Sequence, residues 1–263
     1  MTNALIGHSG FVGGTLLRQT TFDAQFRSTD IDQIAQREFD TLVCAGAPAQ
    51  KWIANRDPEG DRAKIDGLIG HLKTVRCNTF ILISTVDVFG SPLGVDEDTP
   101  VNEAGLHAYG LNRYRLEQFV ASHFPNHLIV RLPGLVGPGL RKNVIFDFLN
   151  QNNVGAIDSR GVFQFYPMVN LWYDIQLALK AGIKLLHLTA EPVSVADLSH
   201  QGFGVPFEQP KDGPAAKYDM RSRYAGLFGG NGAYQYSARE TIQAVRAYAQ
   251  SEPRTLPASG AAA

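Results

Sequence analysis

The chain has 263 residues, 44% of them hydrophobic and 19% charged, a balance that supports a folded core and excludes an intrinsically disordered chain. Lys plus Arg number 24 and Asp plus Glu number 25, so there is no electrostatic footprint for nucleic acid or an anionic membrane. Two cysteines, Cys44 and Cys77, are too few for a disulfide framework, and no apolar run has the length of a membrane span or a secretory leader; a cytoplasmic protein is expected.

The apolar run Ala4-Leu5-Ile6 reads as a buried strand that runs directly into Gly7-x-x-Gly10-x-x-Gly13. Phe11-Val12, Leu16 and Leu17 then recur at helical spacing. Strand, glycine-rich turn and helix is the context of a dinucleotide-binding turn. Gly7 allows the tight turn, Gly10 admits a pyrophosphate to the backbone, and Gly13 lets the helix pack close to the strand. The helix N-terminus offers N–H groups and a positive dipole end to phosphates. Ser9, Phe11 and Val12, between and beside the glycines, complete this expected cofactor contact.

Asp23–Ser28 is a candidate second strand, followed by a short helix through Ile31 and Ile34. A dinucleotide fold carries a ribose-binding acid at the end of this strand. Here the expected end is Arg27-Ser28, which suits a 2′-phosphate and favours NADP over NAD. A later strand end would bring Asp30 into play and NAD with it, and Arg27 can also be read as a solvated surface charge. Phe39–Gly46 reads as a third strand whose small final residues leave room for a cofactor at Ala45, Gly46 and Ala47. Ala47–Arg56 reads as a loop, Pro58–Val75 as a helix and Asn78–Ser84 as a strand. The alternation of strand and helix implies a parallel sheet.

Ser84-Thr85-Val86-Asp87 places hydroxyls at that strand's carboxyl end. Further on, Tyr109, Arg113 and Glu117 are spaced by four, on one face of a helix. A cation one turn from a Tyr favours the phenolate and lowers a reference pKa of about 10. A neighbouring hydroxyl can hold a substrate oxygen within hydrogen-bonding distance of that Tyr. The plainer reading is a surface Tyr and Arg on an amphipathic helix.

Taken together, GHSGFVGG, VCAGA, STVDVFG, the pair Tyr109–Arg113 and RLPGLVGPG at Arg131–Gly139 resemble the extended short-chain dehydrogenase/reductase superfamily, in its NAD(P)-dependent epimerase/dehydratase branch. The likeness covers about the first 140 residues in the family's order. It implies that Gly7, Gly10 and Gly13 hold the pyrophosphate, that Thr85 is the catalytic hydroxyl and that Tyr109 is the catalytic acid/base. Two positions depart from it. Arg113 stands where the family has Lys, and a planar guanidinium is no simple replacement for an ammonium. Gly134 stands where nucleotide-sugar enzymes often carry an Asn that holds the diphosphate sugar.

In the second half, Asn126–Arg131 reads as a strand after the break at Pro125, and Val144–Leu149 as a helix. Asp87, Arg141, Lys142, Asn143, Tyr166 and Arg221 are the candidate substrate contacts, with an ordinary solvated loop the alternative at 141–143 and a solvated connection the alternative for the segment carrying Arg221. Phe163–Pro167 reads as one short strand, Trp172–Leu179 as helix and Leu185–Leu188 as the last parallel strand. Ser194 and Ser237 read as helix caps. His187 and His200 lack metal-ligand spacing, so no metal is expected.

The expected fold is α/β, a Rossmann-type doubly wound parallel sheet over residues 1–250 with a small C-terminal substrate lobe (segments about 139–180 and 202–235), and a disordered tail at 251–263. The expected protein is an NADP-dependent enzyme, with NAD possible, of the epimerase, dehydratase or reductase type. It would act on a hydroxyl or carbonyl of a small, sugar-like or anionic molecule through Thr85, Tyr109 and Arg113, the last also binding the nicotinamide ribose. The alternative is an NADP(H)-binding sensor or structural subunit without turnover, favoured by Arg113 and Gly134. Neither nucleic acid nor membrane is an expected partner, and a homodimer is common in the families resembled.

Overall fold

The computed structural model describes residues 2–254, so most of the expected tail lies outside the described residues. The chain divides into two compact units. One comprises residues 2–91, 97–132 and 171–187, and the other residues 92–96, 133–170 and 188–254. The second unit therefore extends beyond the segments expected for a small lobe, while residues 171–180 belong to the first unit.

In the first unit six strands form one sheet: β1 (Asn3–Ile6), β2 (Ala24–Phe26), β3 (Glu38–Cys44), β4 (Arg76–Thr85), β5 (His127–Leu132) and β6 (Leu185–His187). Every neighbouring pair is parallel, in the order β6-β5-β4-β3-β1-β2. The order reverses at β1, which has β2 on one side and β3 on the other. At such a reversal the connections leave toward opposite faces, and a crevice opens beyond the carboxyl ends of the strands.

The helices of this unit are α1 (Phe11–Gln19), α2 (Lys51–Arg56), α3 (Pro58–Leu72), α4 (Ala108–His123) and α5 (Leu171–Lys180). Ala4, Ile6, Leu42, Cys44, Phe80, Leu82 and Ile129 on one sheet face form a core with Ile65 and Leu72 of α3 and Leu116 and Val120 of α4. The residues between them, Leu5, Val43, Ile81, Leu128 and Val130, are equally buried and point to the opposite face. A sheet covered on both sides needs apolar runs in its strands, which is how Ala4–Ile6, Leu42–Cys44 and Phe80–Ile83 read in the sequence. The expected doubly wound parallel sheet is present.

Several boundaries differ from expectation. Residues 51–56, expected as part of a loop, form α2. Its six residues are too few to establish a periodic apolar stripe. The second strand stops at Phe26, before Arg27. Phe163–Pro167 is two strands rather than one: Val162–Phe163 pairs antiparallel with Val193–Ser194, and Phe165–Pro167 pairs parallel with Gly134–Val136. The break is Gln164, 1% exposed. Its amide donates to Thr189 Oγ1, Ala190 O and Met220 O at 2.7 Å each and accepts from Met220 N at 2.7 Å. A side chain so fully used by other segments holds the backbone out of a continuous ladder.

The second unit also holds the helix Val144–Asn150 and the closing helix Ala238–Ser251, so the expected tail begins as helix at Ser251. Ser237 and Glu240 form a reciprocal capping box on the latter. No described helix is long and apolar enough to cross a membrane.

Candidate functional site

The glycine turn lies at the sheet reversal. Gly7 has a φ of +87°, and a Cβ there would stand 2.4 Å from Ala45 O. A Cβ on Gly13 would stand 2.2 Å from Gly7 O, so both positions exclude any side chain. Gly7 N donates to Phe26 O at 2.7 Å and Ala45 N to Ile6 O at 2.9 Å, tying the turn to the ends of β2 and β3. Gly10 differs: the nearest atom to a Cβ there is 3.4 Å away, and no side chain caps α1. The turn itself therefore does not demand a glycine at position 10, and its backbone is open to approach from outside. Ser9 is exposed, and Phe11 and Val12 are half-buried beside it. Ala45, Gly46 and Ala47 are half-buried beyond the end of β3, and a Cβ on Gly46 would strike the Ile6 side chain at 2.7 Å.

Arg27 and Ser28 follow β2 directly and are exposed. Asp30 turns back on them. Its Oδ1 accepts from Arg27 N at 2.7 Å, and its Oδ2 lies 3.6 Å from Arg27 Nε. The two residues that pulled the cofactor expectation in opposite directions are therefore joined in one exposed pair.

At the end of β4, Thr85 caps the turn Val86–Val88, its hydroxyl accepting from Asp87 N at 3.2 Å. Tyr109 is 8% exposed, and the Thr85 hydroxyl lies near enough to its phenol to favour the phenolate. Gly110 permits this approach, since a Cβ there would stand 2.0 Å from Asp87 O. The start of α4 is held by His107, whose Nδ1 accepts from Gly110 N at 3.0 Å, and by Asn55 of α2, whose Oδ1 accepts from Tyr109 N at 3.0 Å. Lys51, also on α2, places Nζ 2.7 Å from Asp87 Oδ1. Lys51 and Asn55 fall in a stretch that the sequence presents as a loop, and a capping His107 or a close-packed Gly110 carries no motif.

The expectation for Arg113 needs correction. It is 3% exposed rather than presented to a cofactor, and it forms an ion pair with Asp61 of α3, itself buried. It also donates to Pro48 O and, at 3.3 Å, to Tyr109 O. Its guanidinium carbon lies 4.0 Å from the Tyr109 ring centroid. Arg113 therefore supports the underside of the Tyr109 ring. Nor is the phenol shifted downward as expected. Burial raises it above its ordinary 10; Arg113, the Thr85 hydroxyl and Lys51 draw it back, while Asp87 opposes them.

Glu117, the third member of the face, joins a different network. It accepts from Ser84 Oγ at 2.5 Å and from Arg131 Nη2 at 2.6 Å. Arg131 Nη1 lies 3.3 Å from His187 Nε2. All four are buried, and they join β4, α4, β5 and β6. Among the described residues no cluster of three or more His, Cys, Asp or Glu could hold a metal ion.

The other substrate candidates belong to the second unit. Arg141 and Lys142 are exposed. Asn143, at φ +96°, caps the helix Val144–Asn150: its Oδ1 accepts from Ile145 N at 2.9 Å and its Nδ2 donates to Leu135 O at 2.9 Å. Tyr166 is 0% exposed and packs edge-on against Tyr236, a core position rather than a contact surface. Arg221 is paired with Asp219 at 2.7 Å. A Cβ on Gly134 would stand 2.6 Å from Gln164 O, so the departure from the family's Asn is a packing requirement of this chain.

No family model matches the chain, and no curated protein matches it. Solved structures do. RMD from Pseudomonas aeruginosa, complexed with NADPH, aligns over 95% of this chain and 99% of its own at 16% identity and a TM-score of 0.70. UDP-glucose 4-epimerase from Thermotoga maritima, with UDP-glucose, aligns over 95% and 98% at 13% identity and a TM-score of 0.69. TunA, an NAD-dependent NDP-hexosamine 5,6-dehydratase of tunicamycin biosynthesis, aligns over 96% and 99% at 17% identity and a TM-score of 0.72. At these identities the likeness establishes a shared fold.

Proposed function

We propose that this protein is an NAD(P)-dependent oxidoreductase or epimerase/dehydratase, preferring NADP(H), that acts on a hydroxyl or carbonyl carbon of a small, sugar-like or anionic substrate. The observation that carries this reading is the Tyr109–Thr85 hydroxyl pair at the carboxyl end of β4, in the sheet whose reversal bears the open glycine turn. Neighbours of the same fold lend support, being described as binding NADPH and as NAD-dependent.

The residues present fit a dinucleotide: Gly7, Gly10 and Gly13 with the first turn of α1 for the pyrophosphate, Arg27 and Ser28 for a 2′-phosphate, and Ala45 to Ala47 for the space above β3. When bound, the nicotinamide supplies or accepts a hydride. Thr85 holds the substrate oxygen. In the reducing direction Tyr109 gives its phenolic proton to that oxygen as the carbon gains hydride, leaving an alcohol and a phenolate that regains a proton from solvent. The reverse direction begins with Tyr109 taking the hydroxyl proton. Net redox and internal epimerisation use the same groups. A homodimer is proposed from the resemblance and a cytoplasmic location from the sequence's short apolar runs, and Arg141, Lys142 and Arg221 are proposed as anion contacts of the substrate.

The test is fluorescence titration with NADPH and NADH. NADPH is expected to bind more tightly, and Arg27→Ala is expected to weaken it by about tenfold or more, the worth of a charge-assisted hydrogen bond, with NADH little changed. Tyr109→Phe is expected to keep cofactor binding and lose turnover on screened carbonyl substrates. Failure to bind either cofactor would overturn the reading, and binding without turnover in the unaltered protein would favour a sensor.

A further inference from the structure

The charges around Tyr109 come from four elements. Arg113 lies on its own helix, Lys51 on α2, Asp61 on α3 and Asp87 in the turn after β4, with His107 at the helix cap. Arg113 is the cation that sequence spacing offers, yet Asp61 is in hydrogen-bond contact with it, so the phenol meets the field of a pair rather than of a lone charge. Its two terminal nitrogens are committed to Asp61, Pro48 O and Tyr109 O, and its buried Nε has no acceptor. Nothing in that arrangement can reach Thr85.

Asp87 can. Its Oδ2 is 3.5 Å from Thr85 Oγ1, so its carboxylate competes for the proton that Thr85 needs for a substrate oxygen. It also opposes negative charge on Tyr109. Lys51 occupies the other carboxylate oxygen at 2.7 Å, and its side chain is 39% exposed against 17% for Asp87, so this pair borders solvent whereas Arg113–Asp61 is closed off.

We propose that Lys51 is a positioning residue for the Tyr109–Thr85 pair: by holding Asp87 it frees the Thr85 hydroxyl for the reacting oxygen and sets a cation against the carboxylate that borders the pair. This rests on the functional reading above, and it gives α2 a part in the site beside that of α4. Arg113 lies against the ring and is the stronger of the two cations acting on the phenol, and Lys51 acts on the polar end through Asp87.

Replacing Tyr109 with a ring-fluorinated tyrosine lowers the phenol into an accessible pH range and gives a 19F signal that needs neither substrate nor cofactor. Lys51→Gln is expected to move its titration midpoint up by about one pH unit, about tenfold less phenolate at a given pH. Adding Asp87→Asn is expected to bring the midpoint back, and Asp87→Asn alone, which keeps Lys51, to move it down. A structural role for Lys51 would not produce reversal by a second loss. An unmoved midpoint in Lys51→Gln, or no reversal by Asp87→Asn, overturns the proposal. NADPH titration of the same proteins separates the two readings. Loss of binding in every protein removes the proposed function, while the 19F midpoints still decide the part played by Lys51.

Discussion

At the scale of single residues, the setting of Tyr109 depends on partners that its spacing along the chain does not reveal. Its spacing to Arg113 is visible in the chain, but whether a cation acts on a phenol depends on the cation's other partners, and Asp61 is distant in sequence. His107 adds a pH dependence here. Burial first, and then Lys51, lower it from 6.5, and its Nδ1 must stay unprotonated to accept from Gly110 N. Above pH 6.5 the ring is neutral in both folded and unfolded chains, and the cap's contribution is complete. As pH falls below 6.5 the unfolded chain takes the proton first, so that contribution is lost until the pH passes below the folded midpoint. NMR titration of His107 is expected to give a midpoint below 6.5, with exchange protection at Gly110 N–H falling alongside it. A midpoint above 6.5 would contradict the cap.

At the scale of elements, α2 is the piece that assembles the site. Its six residues bring Lys51 to Asp87 and Asn55 to the first turn of α4, whose leading N–H groups have no partner within the helix. The helix α4 is legible through Tyr109, Arg113 and Glu117, whose spacing by four needs more than two turns to show itself. A helix of under two turns has no such room, and contacts with the rest of the unit decide it. Asn55→Ala is expected to cost about 1 kcal/mol, the worth of one hydrogen bond, and to speed amide exchange at Tyr109 above other α4 positions. Equal exchange in the two proteins would show that Asn55 is not the anchor.

At the scale of the first unit as a whole, the Ser84–Glu117–Arg131–His187 network joins three adjacent strands to α4. A buried ion pair is costly to desolvate and adds little against an apolar substitute, but losing one partner leaves a bare charge inside. Glu117→Ala is therefore expected to destabilise folding by about 3–5 kcal/mol, measured by chemical denaturation, with Tyr109 displaced as a consequence. A loss below about 1 kcal/mol would mean that water reaches Arg131.

The sequence by itself determined the sheet and marked the glycine turn, Thr85 and Tyr109 as a candidate site. Apolar runs of strand length, the glycines at Gly7, Gly10 and Gly13 and the spacing of Tyr109 to Arg113 and Glu117 are local patterns, and local patterns survive in one dimension. Only the tertiary structure decided the partners. Asp61 pairs with Arg113, Lys51 takes Asp87, Gln164 divides a strand, Asn143 and Tyr166 go to a cap and a core, and Gly134 makes room for a neighbouring backbone. Each of these depends on which distant residue lies within a few ångströms. Charge, burial and steric contact act through space, and only folding turns separation along the chain into distance.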